Sequence, residues 1–134
     1  MNPFEKFPPH ITRDEIMNTK ETHFYIYADD RTSKSIRGQA ETAFGLENTG
    51  KIITKWWKCT ATESYFHDGQ FEVLTKLMID NCVRDILESY KGRTIVVFPK
   101  IGCGMAELPQ RAPRTLKYIQ EQLAKLLKLN NKTK

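Results

Sequence analysis

Residues 94–106 read TIVVFPKIGCGMA, a short apolar run that leads into a Gly-Cys-Gly loop. The run is almost entirely apolar or β-branched, which is typical of a strand covered on both faces of a parallel sheet. Pro99 ends the backbone pairing, and two glycines one residue apart allow a tight turn and a close approach of backbone to a ligand. The stretch therefore predicts a buried strand followed by a loop that forms a turn or holds an anion.

Strands and helices alternate along the rest of the chain. The predicted strands cover 22–28, 50–57 and 93–98, and the predicted helices cover 39–46, 69–92 and 113–129. Residues 61–68 fit either a short strand or an ordered loop. This alternation favours an α/β layered fold with a largely parallel sheet. Ligands of such sheets bind outside the carboxyl ends of the strands, so the loops that leave the strands are the candidate sites.

Apolar residues at steps of three and four predict which face of each long helix is buried. The helix over 69–92 has a stripe of Phe71, Leu74, Met78, Cys82 and Ile86. The helix over 113–129 has a stripe of Leu116, Ile119, Leu123 and Leu126 or Leu127.

The chain of 134 residues has the length of one domain. Residues 1–21 are polar and marked by proline, and they predict a lead-in with a helical turn at RDEIMN (13–18). Residues 22–129 form the predicted domain, and 130–134 predict a frayed tail. No secretory signal and no apolar run of membrane-spanning length is recognisable, so no membrane association is expected.

The net charge of +5 is unevenly distributed. Residues 111–134 contain seven Lys or Arg and one Glu, whereas residues 1–110 contain fourteen basic and fifteen acidic residues. The basic excess therefore lies on the last helix and its tail, which is more typical of a solvated helix face than of a nucleic-acid footprint. Nucleic acid is accordingly the disfavoured partner, and the sequence does not predict an oligomeric state.

Cysteine and histidine usage predicts neither a disulfide scaffold nor a metal centre. Three cysteines, Cys59, Cys82 and Cys103, are an odd number without metal-like spacing, and the three histidines are scattered. No Walker-type or dinucleotide glycine motif occurs. We therefore expect no metal and no cofactor, and a reducing, cytoplasmic location.

Two of the predicted loops carry polar or aromatic candidates. Asp29 and Asp30 follow the first strand, where a carboxylate can bind an adenine amino group or a ribose hydroxyl, or else cap the next helix. Gly38, Gln39 and Ala40 open that helix, where backbone N–H groups can approach an anion. At the end of the second strand, Lys55 can reach a phosphate. Trp56 can stack on a base, and it can equally be a packing residue, as can its neighbour Trp57.

The third loop contains Ile101, Gly102, Cys103, Gly104 and Met105. Its backbone N–H groups can form an anion nest. The rival hypothesis makes Cys103 a nucleophile, but the spacing of the histidines nominates no base to activate it. A small structural cysteine is therefore the favoured interpretation.

In combination these loops resemble a macro-like domain family of phages and bacteria. The segment IGCGMA resembles the family's I-G-C-G-L-A-G. The earlier family segments G-D-N, G-G-Q-A and I-P-T-K correspond in order to ADD (28–30), RGQA (37–40) and IITK (52–55). The resemblance covers about residues 23 to 127. It implies a three-layer α/β/α macrodomain-like fold with a mixed, largely parallel sheet, and a phage origin with the host cytoplasm as location.

The resemblance also implies a ligand, because macrodomains bind ADP-ribose or related nucleotides at the strand ends and some hydrolyse ADP-ribose esters. Carried over, Asp29 is the adenine or ribose residue, and Asp30 stands where the family has asparagine. The segments at 38–40 and 101–105 become the phosphate loops, and Lys55 matches the lysine of I-P-T-K. Besides Asp30, three departures are notable: the first loop has one glycine, Ile53 replaces proline, and Glu107 replaces the final glycine.

We therefore expect a domain that binds an ADP-ribose-like nucleotide. If it is an enzyme, it would hydrolyse an ADP-ribose derivative, with Asp29 or Asp30 as the catalytic residue that activates water. The alternative is a non-enzymatic interaction module with a degenerate pocket. Such a module would bind protein or nucleic acid through its basic C-terminal helix.

Overall fold

The computed structural model describes residues 11–32, 39–57, 61–103 and 106–132. Within these ranges three parallel strands form one sheet: β1 (His23–Asp30), β2 (Thr49–Lys55) and β3 (Thr94–Val97). β1 lies in the centre, in the order β2-β1-β3. All three predicted strands are thus confirmed as elements of an α/β fold. The first continues two residues further than predicted, so that Asp29 and Asp30 belong to the strand and not to the loop after it.

Five α-helices occur in the described ranges. They are α1 (Arg13–Asn18), α2 (Gln39–Ala43), α3 (Lys76–Ser89), α4 (Leu108–Arg111) and α5 (Pro113–Lys132). The ambiguous segment 61–68 contains a 3-10 turn, Thr62–Ser64, and a single antiparallel bridge between Tyr65 and Lys55. A second 3-10 turn covers Asp68–Gln70.

Helices cover both faces of the sheet. The Tyr25 hydroxyl lies 2.9 Å from Thr19 Oγ1, directly after α1. Neighbouring Phe24 points to the opposite face, where a Cβ added at Gly50 would lie 2.9 Å from Ile86 of α3 and 3.0 Å from the Phe24 ring. Consecutive strand residues alternate between faces, so α1 and α3 lie on opposite sides of the sheet.

Polar contacts complete the two helical layers. Arg13 of α1 donates hydrogen bonds to the carbonyls of Thr42 and Phe44, and thereby ties α1 to α2. On the other face the Thr75 and Thr115 hydroxyls lie 3.1 Å apart, between the start of α3 and α5. α5 also contacts β3, because the Asn130 carboxamide bonds both the N–H and the C=O of Ile95, at 2.8 and 3.0 Å. Asn130, which the sequence placed in a frayed tail, is therefore anchored to the sheet.

A π-helical turn over Phe71–Thr75 changes which face of α3 is buried. The extra residue that this turn contains rotates the following helix. The stripe predicted for this helix is therefore wrong at Leu74, which is 48% exposed, while Thr75 is fully buried in its place. Further along, Ile79 joins Cys82 and Ile86 in the core. In α5, which has no such turn, the predicted stripe of Leu116, Ile119, Leu123 and Leu126 is buried as expected.

Candidate functional site

The strand order β2-β1-β3 predicts a ligand-binding crevice at the carboxyl edge of the sheet, between β1 and β3. The chain that leaves β1 leads to α2, which contacts β1 and α1, whereas the chain that leaves β3 leads to α4 and then to α5, which contacts α3. The two connections diverge, and in parallel sheets such a divergence opens the space in which ligands bind. We call this space the β1/β3 crevice.

Gln39 forms the floor of the β1/β3 crevice. The ladder between β1 and β3 ends where the Phe98 N–H donates to the Ile26 carbonyl at 2.9 Å. Beyond it, the Ala28 N–H donates to Gln39 Oε1 at 2.8 Å, and Gln39 Nε2 donates to the Pro99 carbonyl at 2.8 Å. The carboxamide thus takes the place of a peptide group where the strands separate. Gln39 was predicted as a phosphate-loop residue, and its side chain connects β1 to the loop after β3.

Asp29 and Asp30 line the β1 side of the site and are both buried, at 4% and 2% exposed. Asp29 Oδ1 accepts the Asp30 N–H at 2.8 Å, and Asp30 Oδ1 accepts the N–H and the hydroxyl of Thr32 at 2.8 and 2.6 Å. Burial, followed by the negative charge of Asp29, raises the pKa of Tyr27 to about 12. Both carboxylates are thus fixed by local hydrogen bonds, as expected for a polar group buried at a strand end.

A tight turn forms the β3 side. The Cys103 N–H donates to the Lys100 carbonyl at 2.9 Å, and Gly102 has a φ of +84°, as glycine does in the third position of a type II turn. A Cβ at Gly102 would lie 2.5 Å from Leu108 Cδ1, so this position has room for glycine alone. Ile101, predicted as a loop residue, is buried at 3% exposed. One amide of the predicted anion nest, that of Cys103, is therefore used within the turn.

Glu107 follows this turn in a left-handed conformation, with φ 53° and ψ 35°. It is the residue that replaces the final glycine of the resembled I-G-C-G-L-A-G segment. A non-glycine residue in this conformation is strained by about 1–2 kcal/mol. The backbone at Glu107 thus has a conformation that glycine adopts freely.

Cys103 is exposed, and its environment does not activate it. The residue is exposed, yet partial burial of its thiol raises the pKa of Cys103, and the nearby Lys100 charge opposes that shift. A raised pKa keeps the thiol protonated at neutral pH, where a nucleophile needs the thiolate. The raised pKa supports the interpretation of Cys103 as a non-catalytic residue. Its exposure, however, shows that it is not a packing residue of the core.

The β2 side contains Lys55, which is only 8% exposed and is the register partner of Asp30. A bulge between Asp29 and Asp30 produces this pairing, since the register passes from Ile53 to Lys55. The Lys55 ammonium lies 4.1 Å from the centroid of the Tyr65 ring. The lysine of the predicted IITK segment therefore does lie at the edge that also contains the aspartates.

The two tryptophans have different environments. The Trp56 ring packs edge-on against Phe66, with ring centroids 4.8 Å apart, and the backbone N–H of Trp56 donates to the Ser64 carbonyl. Trp57 is 41% exposed. The geometry of Trp56 favours the packing alternative over a base-stacking role.

Three predicted site residues, Gly38, Gly104 and Met105, lie outside the described residues. Ala40 is fully buried in α2. Two residues that the sequence did not nominate, Tyr65 and Arg111, also lie at the site, with the Arg111 guanidinium carbon 3.7 Å from the centroid of the Tyr65 ring. No local pattern could have revealed this contact, because the two residues are far apart in the chain and Arg111 was counted as part of the basic tail.

The basic residues of α5 occupy its exposed face, where Arg114, Lys117, Lys125 and Lys128 alternate with the buried leucines. Arg114 is paired with Glu72 at 3.0 Å. Among the described residues no three His, Cys, Asp or Glu side chains are grouped as metal ligands. None of the helices in the described ranges has the length and apolar character needed to cross a bilayer.

The strand order and the two helical layers define a small layered α/β domain with a parallel sheet. The chain belongs to the family of unknown function DUF7831, whose model matches residues 6–122. No curated protein and no solved structure matches the chain.

Proposed function

We propose that the chain is a macro-like domain that binds an ADP-ribose-like nucleotide in the β1/β3 crevice. The observation that carries this proposal is the position of Gln39, which ties Ala28 of β1 to Pro99 after β3. This contact supports the proposal because it connects Gln39, in the segment that resembles G-G-Q-A, both to the strand that contains ADD and to the residue two positions before IGC.

The backbone conformation after β3 supports the proposal independently. Gly102 and Glu107 correspond to two glycines of the resembled segment, and both are left-handed, with φ of +84° and 53°. Both conformations are ones that glycine adopts freely, and they therefore fit a segment that has glycine at these two positions.

Each side of the crevice has a separate role in the proposed complex. The carboxylates of Asp29 and Asp30 accept hydrogen bonds from the adenine amino group or from ribose hydroxyls. The turn at 100–103 and the Lys55 ammonium lie on either side of them and face the phosphates. Hydrolysis of an ADP-ribose derivative would require one aspartate to activate water, and it would appear as product formation in the same titration samples.

Calorimetric titration with ADP-ribose tests the proposal. We expect saturable binding by the wild-type protein and weaker binding by Asp29→Asn, which keeps the size of the side chain and removes its charge. Asp85→Asn is the matched control, because Asp85 is exposed on α3. Thermal unfolding of each variant establishes that it is folded. Absence of heat at millimolar ADP-ribose from a folded wild-type protein would rule the proposal out.

A further inference from the structure

Arg111 is held at the site in a conformation that leaves one end of its guanidinium group open. Its Nε donates to Glu107 Oε1 at 3.1 Å, and its guanidinium carbon lies 3.7 Å from the Tyr65 ring centroid. Neither terminal nitrogen donates a hydrogen bond to any residue of the described ranges. The side chain is 34% exposed, so the two terminal N–H groups can reach solvent or a ligand.

A guanidinium held in place with its terminal N–H groups open is preorganised to bind an oxyanion. Its planar fork offers two parallel N–H donors, which match two oxygens of one phosphate group. Contact with an aromatic ring fixes the position of the plane and leaves the in-plane N–H groups available. Because Tyr65 and Glu107 already restrict the side chain, little conformational entropy remains to be lost when an anion binds.

The position of Arg111 places this fork beside the proposed nucleotide. Tyr65 is bridged to Lys55 at the end of β2, and Arg111 lies in α4, which follows the loop after β3. Their contact joins the segments that follow the two outer strands, at the edge where the central strand ends in Asp29 and Asp30. The Lys55 and Arg111 charges lie about 4 Å from the same ring and thus within about 8 Å of each other.

The conformation of Glu107 supports the same assignment. Glutamate is strained in a left-handed conformation, and strain of this kind concentrates at functional sites. At this position the side chain of Glu107 reaches Arg111 four residues later. A glycine would relieve the strain but would leave the Arg111 Nε without this acceptor.

From these contacts we infer that Arg111 binds a phosphate group of the ligand through its two terminal nitrogens, and that Tyr65 and Glu107 are its positioning residues. This inference rests on the proposed nucleotide site for its location. Arg111 adds a charged phosphate contact on the β3 side of that site, where the Cys103 amide already donates within the turn.

Calorimetric titration of the full chain with inorganic pyrophosphate, and separately with ADP-ribose, tests the inference. Arg111→Gln should weaken pyrophosphate binding at least about tenfold, because a charge-assisted bidentate contact is lost. Arg111→Lys should give an intermediate affinity, because it keeps the charge and loses the fork. Arg84→Gln, on the exposed face of α3, is the matched control and should stay within about twofold of the wild type.

The positioning roles of Glu107 and Tyr65 are tested by NMR and by binding measurements on separate variants. Glu107→Gln should shift the Arg111 Nε–H resonance in a nitrogen-15 spectrum and weaken pyrophosphate binding less than Arg111→Gln does. Tyr65→Phe should leave binding unchanged, because the ring and not the hydroxyl contacts the guanidinium. An unchanged Arg111 Nε–H resonance in Glu107→Gln would show that Glu107 does not position Arg111.

The two ligands separate this inference from the proposed function. Binding of pyrophosphate that depends on Arg111, without binding of ADP-ribose, would support the inference and contradict the nucleotide proposal. Equal binding of ADP-ribose by the wild type and a folded Arg111→Gln variant would overturn the inference and leave the nucleotide proposal standing. If the wild type binds neither ligand, both are overturned.

Discussion

The two sides of the β1/β3 crevice are built by different means. On the β1 side, side-chain hydrogen bonds determine the geometry, through Asp29, Asp30 and the carboxamide of Gln39. On the β3 side, backbone conformation determines it, through the Lys100–Cys103 turn and the absence of a Cβ at Gly102. The backbone side should therefore be sensitive to any added atom, whereas the side-chain side should be sensitive to the loss of particular donors and acceptors.

Gly102→Ala should have the largest effect on stability. The new Cβ would meet Leu108 Cδ1 at 2.5 Å, and alanine would have to adopt a φ of +84°. The sum of backbone strain and overpacking predicts a loss of about 2–4 kcal/mol in the free energy of unfolding, measured by urea denaturation.

Gly45→Ala is the control for Gly102→Ala. Its φ of +81° imposes similar strain, but nothing lies within 4 Å of the added Cβ. The expected loss is about 1 kcal/mol or less, because reduced entropy of the unfolded chain offsets part of the strain. Equal losses in the two variants would show that the contact with Leu108 does not restrict the β3 side.

Gln39→Ala should have the next largest effect. The substitution removes the acceptor of the Ala28 N–H and the donor to the Pro99 carbonyl. We expect a loss of about 1–3 kcal/mol in the free energy of unfolding, since each hydrogen bond contributes about 0.5–1.5 kcal/mol.

Two variants sharpen this measurement. Gln120→Ala, at an exposed position of α5, should change the free energy of unfolding by less than about 0.5 kcal/mol. Gln39→Glu keeps an acceptor for Ala28 and loses the donor to Pro99, so it should also be destabilised. If Gln39→Ala were as stable as Gln120→Ala, the carboxamide would not connect the two sides.

The smallest expected effect is a change in the titration of Tyr27. Its pKa is raised to about 12 by burial and, second, by the Asp29 charge. A raised pKa favours the protonated phenol in the folded state. The resulting stability is therefore complete below a pH of about 10 and is lost as the pH rises through about 12. Asp29→Asn should lower the Tyr27 pKa in the folded state, so that the loss is smaller and is complete at a lower pH.

Carbon-13 NMR of labelled tyrosine measures the Tyr27 pKa directly. Tyr118 is an internal reference, because burial and Asp80 also raise its pKa to about 12 and Asp29 is not among the causes. Its titration should be the same in Asp29→Asn and in the wild type. An unchanged Tyr27 titration in that variant would mean that the Asp29 charge does not act across the β1 side.

The sequence predicted those features that depend on local structure, and it did not predict the contacts that depend on the tertiary fold. Strand and helix positions follow from apolar periodicity, which reports local structure, and the α5 stripe was predicted for that reason. The α3 stripe was wrong at Leu74 because a π-helical turn adds a residue that periodicity does not reveal. The glycines near Cys103 pointed to a turn. The contact of Arg111 with Tyr65 was not predicted, because only the tertiary fold brings these residues together.

Nitrogen-15 NMR titration with ADP-ribose locates the ligand on the protein. We expect saturable shifts to concentrate at the amides of Ala28, Asp30, Gln39, Gly102 and Cys103, on both sides of the β1/β3 crevice, together with the Arg111 side chain. Shifts confined to the exposed faces of α3 or α5, or no shifts at millimolar ligand in the folded protein, would contradict this expectation.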